Sequence, residues 1–171
     1  MINIYKQELT NLQQKILRLL FIKSGSKLNA RRISVLLKVS QPAISKSLPL
    51  LEKESFILVK KDKDSKRLSI GLNRDNHYVI WLKRADNIKQ LYESGLVQFI
   101  YDNFPSATGI IFGSYAFGED TTTSDIDLAI IGSKEKNVDL TKFENILERE
   151  IIINYYKNIK EINKNLLSNI Y

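Results

Sequence analysis

GIIFGSYAFGEDTTTSDIDLAIIG, residues 109–132, holds two apolar runs joined by a small-residue turn and a polar loop. The first run ends in Gly113-Ser114 and the second opens on Asp125-Ile126-Asp127. Alternation in the second run predicts a strand with Asp125, Asp127 and Ala129 on one face and Ile126, Leu128 and Ile130 on the other. Two carboxylates side by side on one strand repel, so the arrangement is costly without a compensating cation. A divalent ion supplies that compensation. Mg²⁺ (or Mn²⁺) suits it, because it takes few carboxylates and completes its shell with water and phosphate oxygens. Gly113 lets the backbone approach a phosphate closely, and Ser114 offers it a hydroxyl. Gly118 allows the loop to turn back toward Ser124 and the acidic strand. Together these parts suit ATP or another nucleoside triphosphate held with its metal for in-line attack at the α-phosphate.

Upstream, helical spacing of Ile88, Leu91, Leu96 and Ile100 predicts a helix from about Ala85 to Tyr101, and Pro105 excludes helix just before itself. Downstream, EIIINYYKNI (150–159) predicts another strand and KEINKNLLSNIY (160–171) a last helix. The acidic pair thus sits in a small unit spanning about 86–171, preceded by a linker at 76–85. His77, the only histidine, has no ligand-spaced partner and reads as a surface or linker residue. Trp81, among Val79, Ile80 and Leu82, is expected to pack in a core or a domain interface.

The charge is distributed unevenly. Residues 1–85 hold 18 Lys+Arg and 6 Asp+Glu, a net +12, and residues 86–171 hold 8 and 13, a net −5, which together give the +7 of the whole chain. A basic half joined to an acidic half points to two domains with different partners, one of them polyanionic. The chain has no cysteine, so disulfide frameworks and thiolate metal sites are excluded. No apolar run approaches the roughly 18 residues of a membrane span, and the N-terminus lacks a signal-peptide pattern. A cytoplasmic protein without a membrane partner is expected.

The basic half reads as three helices and a hairpin. Leu9, Leu12, Ile16, Leu19 and Leu20 mark the first helix, with Gly25 as its stop. Asn29 caps a second, carrying Ile33, Leu36 and Leu37. Ser40 caps a third, with Pro42 in its first turn and Ile44, Leu48 and Leu51 buried. Pro49 is expected to bend or divide this helix. Ile57-Leu58-Val59 and Leu68-Ser69-Ile70 then flank KKDKDSKR, a hairpin with a basic tip.

This order resembles a winged helix-turn-helix of the MarR-like kind, with VSQPAISKSLPLLEKESFILVKKDKDSKRLSIGLN carrying the recognition helix, hinge and wing. The resemblance implies a DNA-binding domain at 1–75. In it, Gln41, Ser45 and Lys46 enter the major groove of double-stranded DNA, and Lys60, Lys61, Lys63, Lys66 and Arg67 meet phosphates or the minor groove. A homodimer through the first helix is the corresponding analogy.

FGSYAFGEDTTTSDIDLAII resembles the Gly-Ser loop and Asp-x-Asp strand of minimal nucleotidyltransferases of the DNA polymerase beta-like superfamily. The resemblance implies Gly113, Ser114 and Ser124 on the nucleotide and Asp125 and Asp127 as catalytic metal ligands. Two positions depart from that pattern. Phe117 stands where related sequences often carry arginine, and the usual third carboxylate of a later strand is unassigned among Asn154, Glu150 and Glu161. The expected architecture is α+β (mixed α/β), a winged helix followed by a small nucleotidyltransferase fold with a mixed sheet. The expected function is a DNA-binding transcriptional regulator whose second domain binds Mg-NTP. The alternative is an active nucleotidyltransferase that passes AMP to a protein or small-molecule acceptor, as in antitoxin-like partners of helical toxins.

Overall fold

The structure is a computed structural model, and it describes residues 9–61 and 68–161. The chain divides into two units, Met1–Val79 and Ile80–Tyr171.

In the first unit, α1 (Asn11–Ile22), α2 (Ala30–Leu37) and α3 (Gln41–Lys53) precede an antiparallel hairpin of β1 (Ile57–Lys61) and β2 (Leu68–Leu72). Each helix starts on a side-chain cap. Thr10 forms a reciprocal capping box with Gln13, Asn29 accepts from the Arg32 amide at 2.8 Å, and Ser40 accepts from the Ala43 amide at 3.3 Å. These bonds satisfy amides that have no partner within the helix. The turn between α2 and α3 passes through Lys38 in the left-handed region, φ 54°. Ile16, Leu20, Ile33, Ile44, Leu51, Ile57 and Ile70 are fully or almost fully buried. Leu28, between α1 and α2, bridges antiparallel to Ile70 and so adds a third segment beside β2 of the hairpin. Three helices closed by this small sheet make a winged helix.

Pro49 does not divide α3, which runs unbroken to Lys53. A proline removes the bond to the carbonyl four residues earlier, here that of Ser45. Both Ser45 and Pro49 lie on the exposed face, where water can take that carbonyl.

In the second unit, α4 (His77–Glu93) and α5 (Leu96–Asn103) lead into β3 (Thr108–Phe112), α6 (Gly113–Phe117), β4 (Ile126–Ile131), α7 (Thr141–Leu147) and β5 (Ile151–Tyr156), ending in a 3-10 turn at Ile159–Glu161. The boundary between the units falls within α4. That helix begins at His77 rather than near Ala85, with the Tyr78 amide donating to Asn76 Oδ1 at 3.0 Å. The single helix expected to reach Tyr101 is two, broken at Gly95, φ 82°. Trp81 does not pack as expected but is 64% exposed.

The sheet order is β3-β4-β5, with β4 antiparallel to β3 and parallel to β5, so the sheet is mixed. Ile126, Leu128 and Ile130 pair with Ile151, Ile153 and Tyr155 and face the core. Leu91, Leu96, Phe143 and Leu147 from the helices close over that face. Asp127 therefore stands on the opposite face, as alternation requires.

Candidate metal and nucleotide site

The Gly-Ser pair is not a bare turn: it opens α6, a helix of five residues that ends at Gly118, φ 78°. Gly113 has φ 71°, and a Cβ placed on it would collide with the Asp127 carboxylate. The register puts Phe112 directly across from Asp127, which brings the next residue's backbone over the carboxyl group. Only glycine meets both conditions, a left-handed φ and no side chain. Gly118 is constrained similarly. A Cβ there would lie 2.6 Å from the Ile80 carbonyl and 2.8 Å from the Arg84 amide, which seats the end of α6 on α4.

Asp125 precedes β4 and Asp127 is its second residue; both are half-buried. The Asp127 carboxyl is held above the usual aspartate value, first by desolvation and then by the charge of Asp125. This is the repulsion a bound cation would relieve. Ser124 accepts the Thr121 amide at 3.0 Å and so closes the loop leading into the strand. Its hydroxyl is engaged there, while the residue lines an open polar cavity with Asp125, Thr122, Glu148 and Glu150. Ser114 is half-buried, and its carbonyl accepts the amides of Glu119 at 2.9 Å and Asp120 at 3.2 Å.

The three candidates for a further ligand are placed differently. Glu150 directly precedes β5, its carbonyl accepts the Ile126 amide at 2.8 Å, and it lines the open polar cavity with Asp125. Asn154 lies opposite Ala129, one step beyond Asp127. Glu161 is turned away, its carboxylate accepting the Lys157 amide at 2.9 Å. The position directly beside Asp127 is held by Ile152. Among the described residues, no group of three or more His, Asp or Glu side chains converges as a metal site. Asp125 and Asp127 are the two half-buried carboxylates that fit a hard divalent cation here.

The sequence reading missed a buried polar cluster behind this loop. Asp120, 1% exposed, receives Lys83 Nζ, Asn87 Nδ2 at 2.7 Å and Arg149 Nη2 at 3.2 Å. Asn87 also donates to the Tyr115 carbonyl at 2.9 Å. Four elements meet at one carboxylate: α4, α6, the loop toward Asp125 and the entry to β5. Burial lowers the Lys83 pKa, opposed by the nearby Asp120. The only sequence signal was faint: Lys83, Asn87 and Gln90 follow helical spacing along one side of α4. The Arg84 guanidinium lies 5.7 Å from the centre of the Phe117 ring, so a cation does reach the position where an arginine was missing.

In the first unit, Gln41, Ser45 and Lys46 are all exposed on α3. Lys60 and Lys61 are exposed at the end of β1, and strand alternation sends them to opposite faces. Lys63, Lys66 and Arg67 lie outside the described residues. No helix among the described residues is long and apolar enough to cross a membrane.

Residues 96–170 match the family model described as Polymerase beta, Nucleotidyltransferase. This segment is a nucleotidyltransferase domain. Solved structures similar to the chain include the zinc-responsive MarR family member ZitR of Lactococcus lactis, at 21% identity over 61% of this chain and 69% of that one, TM-score 0.44. The adhesin competence repressor AdcR of Streptococcus pyogenes is 22% identical over 59% and 67%, TM-score 0.40. MepR of S. aureus, solved as a DNA complex, is 23% identical over 56% and 81%, TM-score 0.40. No curated protein sequence matches the chain. The nucleotidyltransferase domain takes in β3, β4 and β5, and with them Gly113, Asp125 and Asp127.

Proposed function

We propose that the protein is a DNA-binding transcriptional regulator whose nucleotidyltransferase domain binds a nucleoside triphosphate with Mg²⁺ and serves as its sensor. The observation that carries this reading is Ile152 beside Asp127: the acidic face offers enough donors to hold a metal-triphosphate, with one anion fewer than the usual three. Asp125 and Asp127 would hold the ion, and Gly113 and Ser114 would meet the phosphates. The metal would screen the triphosphate charge.

On the DNA side, the support is an exposed polar face of α3 at Gln41, Ser45 and Lys46, suited to base edges in the major groove. Lys60, Lys61, Lys63, Lys66 and Arg67 would supply phosphate contacts.

Calorimetric titration of ATP and the other triphosphates, with and without Mg²⁺, tests the sensor. Metal-dependent binding is expected, and it should disappear in Asp125→Asn/Asp127→Asn. Absence of binding by any triphosphate refutes it. Duplex affinity measured against salt tests the regulator: Lys46→Ala should lower the log–log slope by about one. Undetectable binding to duplexes, including its own promoter, removes that half.

A second reading is favoured by Glu150, which directly precedes β5 and lines the same cavity as Asp125. With Glu150 as third carboxylate, the domain would transfer AMP to a protein or small molecule. Transfer from α-labelled nucleotide that is lost in Glu150→Gln would establish this alternative.

A further inference from the structure

Arg149 joins the two segments that flank the acidic strand. It is 5% exposed and stands between two exposed glutamates, Glu148 and Glu150. Its guanidinium spans two acceptors: Nη2 donates to Asp120 Oδ2 at 3.2 Å, and Nη1 to the Glu148 carbonyl at 2.8 Å. Asp120 opens the loop that delivers Asp125. Glu148 ends α7 and Glu150 leads into β5, so one side chain ties that loop to the α7–β5 turn.

The turn needs such a tie. Glu148 has φ 53°, a left-handed conformation that a residue with a side chain adopts only where its surroundings hold it. Bonds to Glu144 secure the near side: the Arg149 amide donates to its carbonyl at 3.2 Å, and its carboxylate accepts the Ile151 amide at 3.1 Å. On the strand side, the Ile126 amide donates to the Glu150 carbonyl at 2.8 Å. Ile126 lies between Asp125 and Asp127, so a shift of the turn passes straight to both carboxylates.

We propose that Arg149 is a positioning residue of the metal–triphosphate site, a role that rests on the sensor reading above. Both terminal nitrogens of its guanidinium are engaged within the chain, so it acts through Asp120 and the Glu148–Glu150 turn rather than as a phosphate ligand.

Lys83 supplies the comparison. It donates to the same carboxylate from α4, and its bond to Asn87 stays on that helix. Arg149→Met and Lys83→Met each remove one of the two cations and leave Asp120 the other together with Asn87. Similar losses of stability are therefore expected, but only Arg149→Met cuts the tie to the α7–β5 turn.

Calorimetric titration of Mg-ATP into wild type and both variants, each below its unfolding midpoint, reads the difference. Arg149→Met is expected to bind about 10- to 100-fold more weakly, the usual cost of losing a group that orients metal ligands. Lys83→Met should bind as wild type does. The paramagnetic resonance spectrum of Mn²⁺ bound in place of Mg²⁺ should change in Arg149→Met alone, which a purely structural role would not produce. Wild-type affinity in Arg149→Met overturns the proposal, as does an equal loss in both variants, which would mark the cluster as a general support of the fold. If Arg149→Met does not fold, Arg149→Lys carries the test. It keeps the charge without the planar fork, so weaker binding is again expected, and wild-type affinity overturns the role. Wild type that binds no triphosphate overturns the sensor reading itself, and this role with it.

Discussion

Asp120→Ala would remove an anion that two buried cations share. Lys83 is fully buried and Asp120 1% exposed, so solvent screens little of their interaction. Without the carboxylate, Lys83 Nζ, Arg149 Nη2 and Asn87 Nδ2 lose a common acceptor. Breaking a buried ion pair from one side costs about 3–5 kcal/mol, because the partner charge stays buried and uncompensated. In a unit the size of Ile80–Tyr171, each kcal/mol lowers the midpoint by roughly 4–8 °C, so a fall of at least about 12 °C is expected. Lys83→Met should cost less, since Asp120 then keeps Arg149 and Asn87 as donors. The cluster also predicts a pH signature. The folded Lys83 pKa lies below its ordinary 10.5, so between those values the unfolded chain binds more protons and stability rises with pH. That rise should vanish in Lys83→Met. Thermal unfolding of the three proteins, followed by circular dichroism from pH 7 to above 10.5, checks both. A midpoint for Asp120→Ala within a few degrees of wild type would refute the account of the cluster.

Gly113→Ala should cost about 1–2 kcal/mol from its left-handed φ alone and also displace the Asp127 carboxylate; calorimetry should show metal–nucleotide binding lost while circular dichroism remains native. The raised Asp127 pKa predicts the opposite pH trend to Lys83. Between 3.8 and its raised folded value the folded state binds more protons, so this group's contribution to stability falls as pH rises. Asp127→Asn should remove that component from the difference in stability measured across the acid range. Binding of Mg²⁺ at the site should likewise weaken as the pH drops through that value.

Much of the protein was legible because local chemistry and tertiary role coincide. Asn29 and Ser40 precede their helices and cap them, and Asp-Ile-Asp alternates because a strand allows nothing else. Gly113 was readable as a glycine that something must approach closely. The sequence could not say that this neighbour is the Asp127 carboxylate, since strand register sets the contact. Register also set which residue lies beside Asp127. From residues 150–161 alone, the choice among Asn154, Glu150 and Glu161 stayed open, because it turns on register; the register puts Ile152 beside Asp127.

Where local patterns and long-range packing part, the sequence misled. Trp81 sits in an apolar run but on the outer side of α4, because Lys83 and Asn87 claim the inner side for Asp120, which lies 37 residues beyond Lys83. Composition and alternation are properties of neighbours along the chain, and they determined the two-domain plan, the basic and acidic halves and the acidic strand. The buried charge cluster, the fit of Gly113 against Asp127 and the exposure of Trp81 on α4 depend on segments that meet only after folding, and only the tertiary structure decided them.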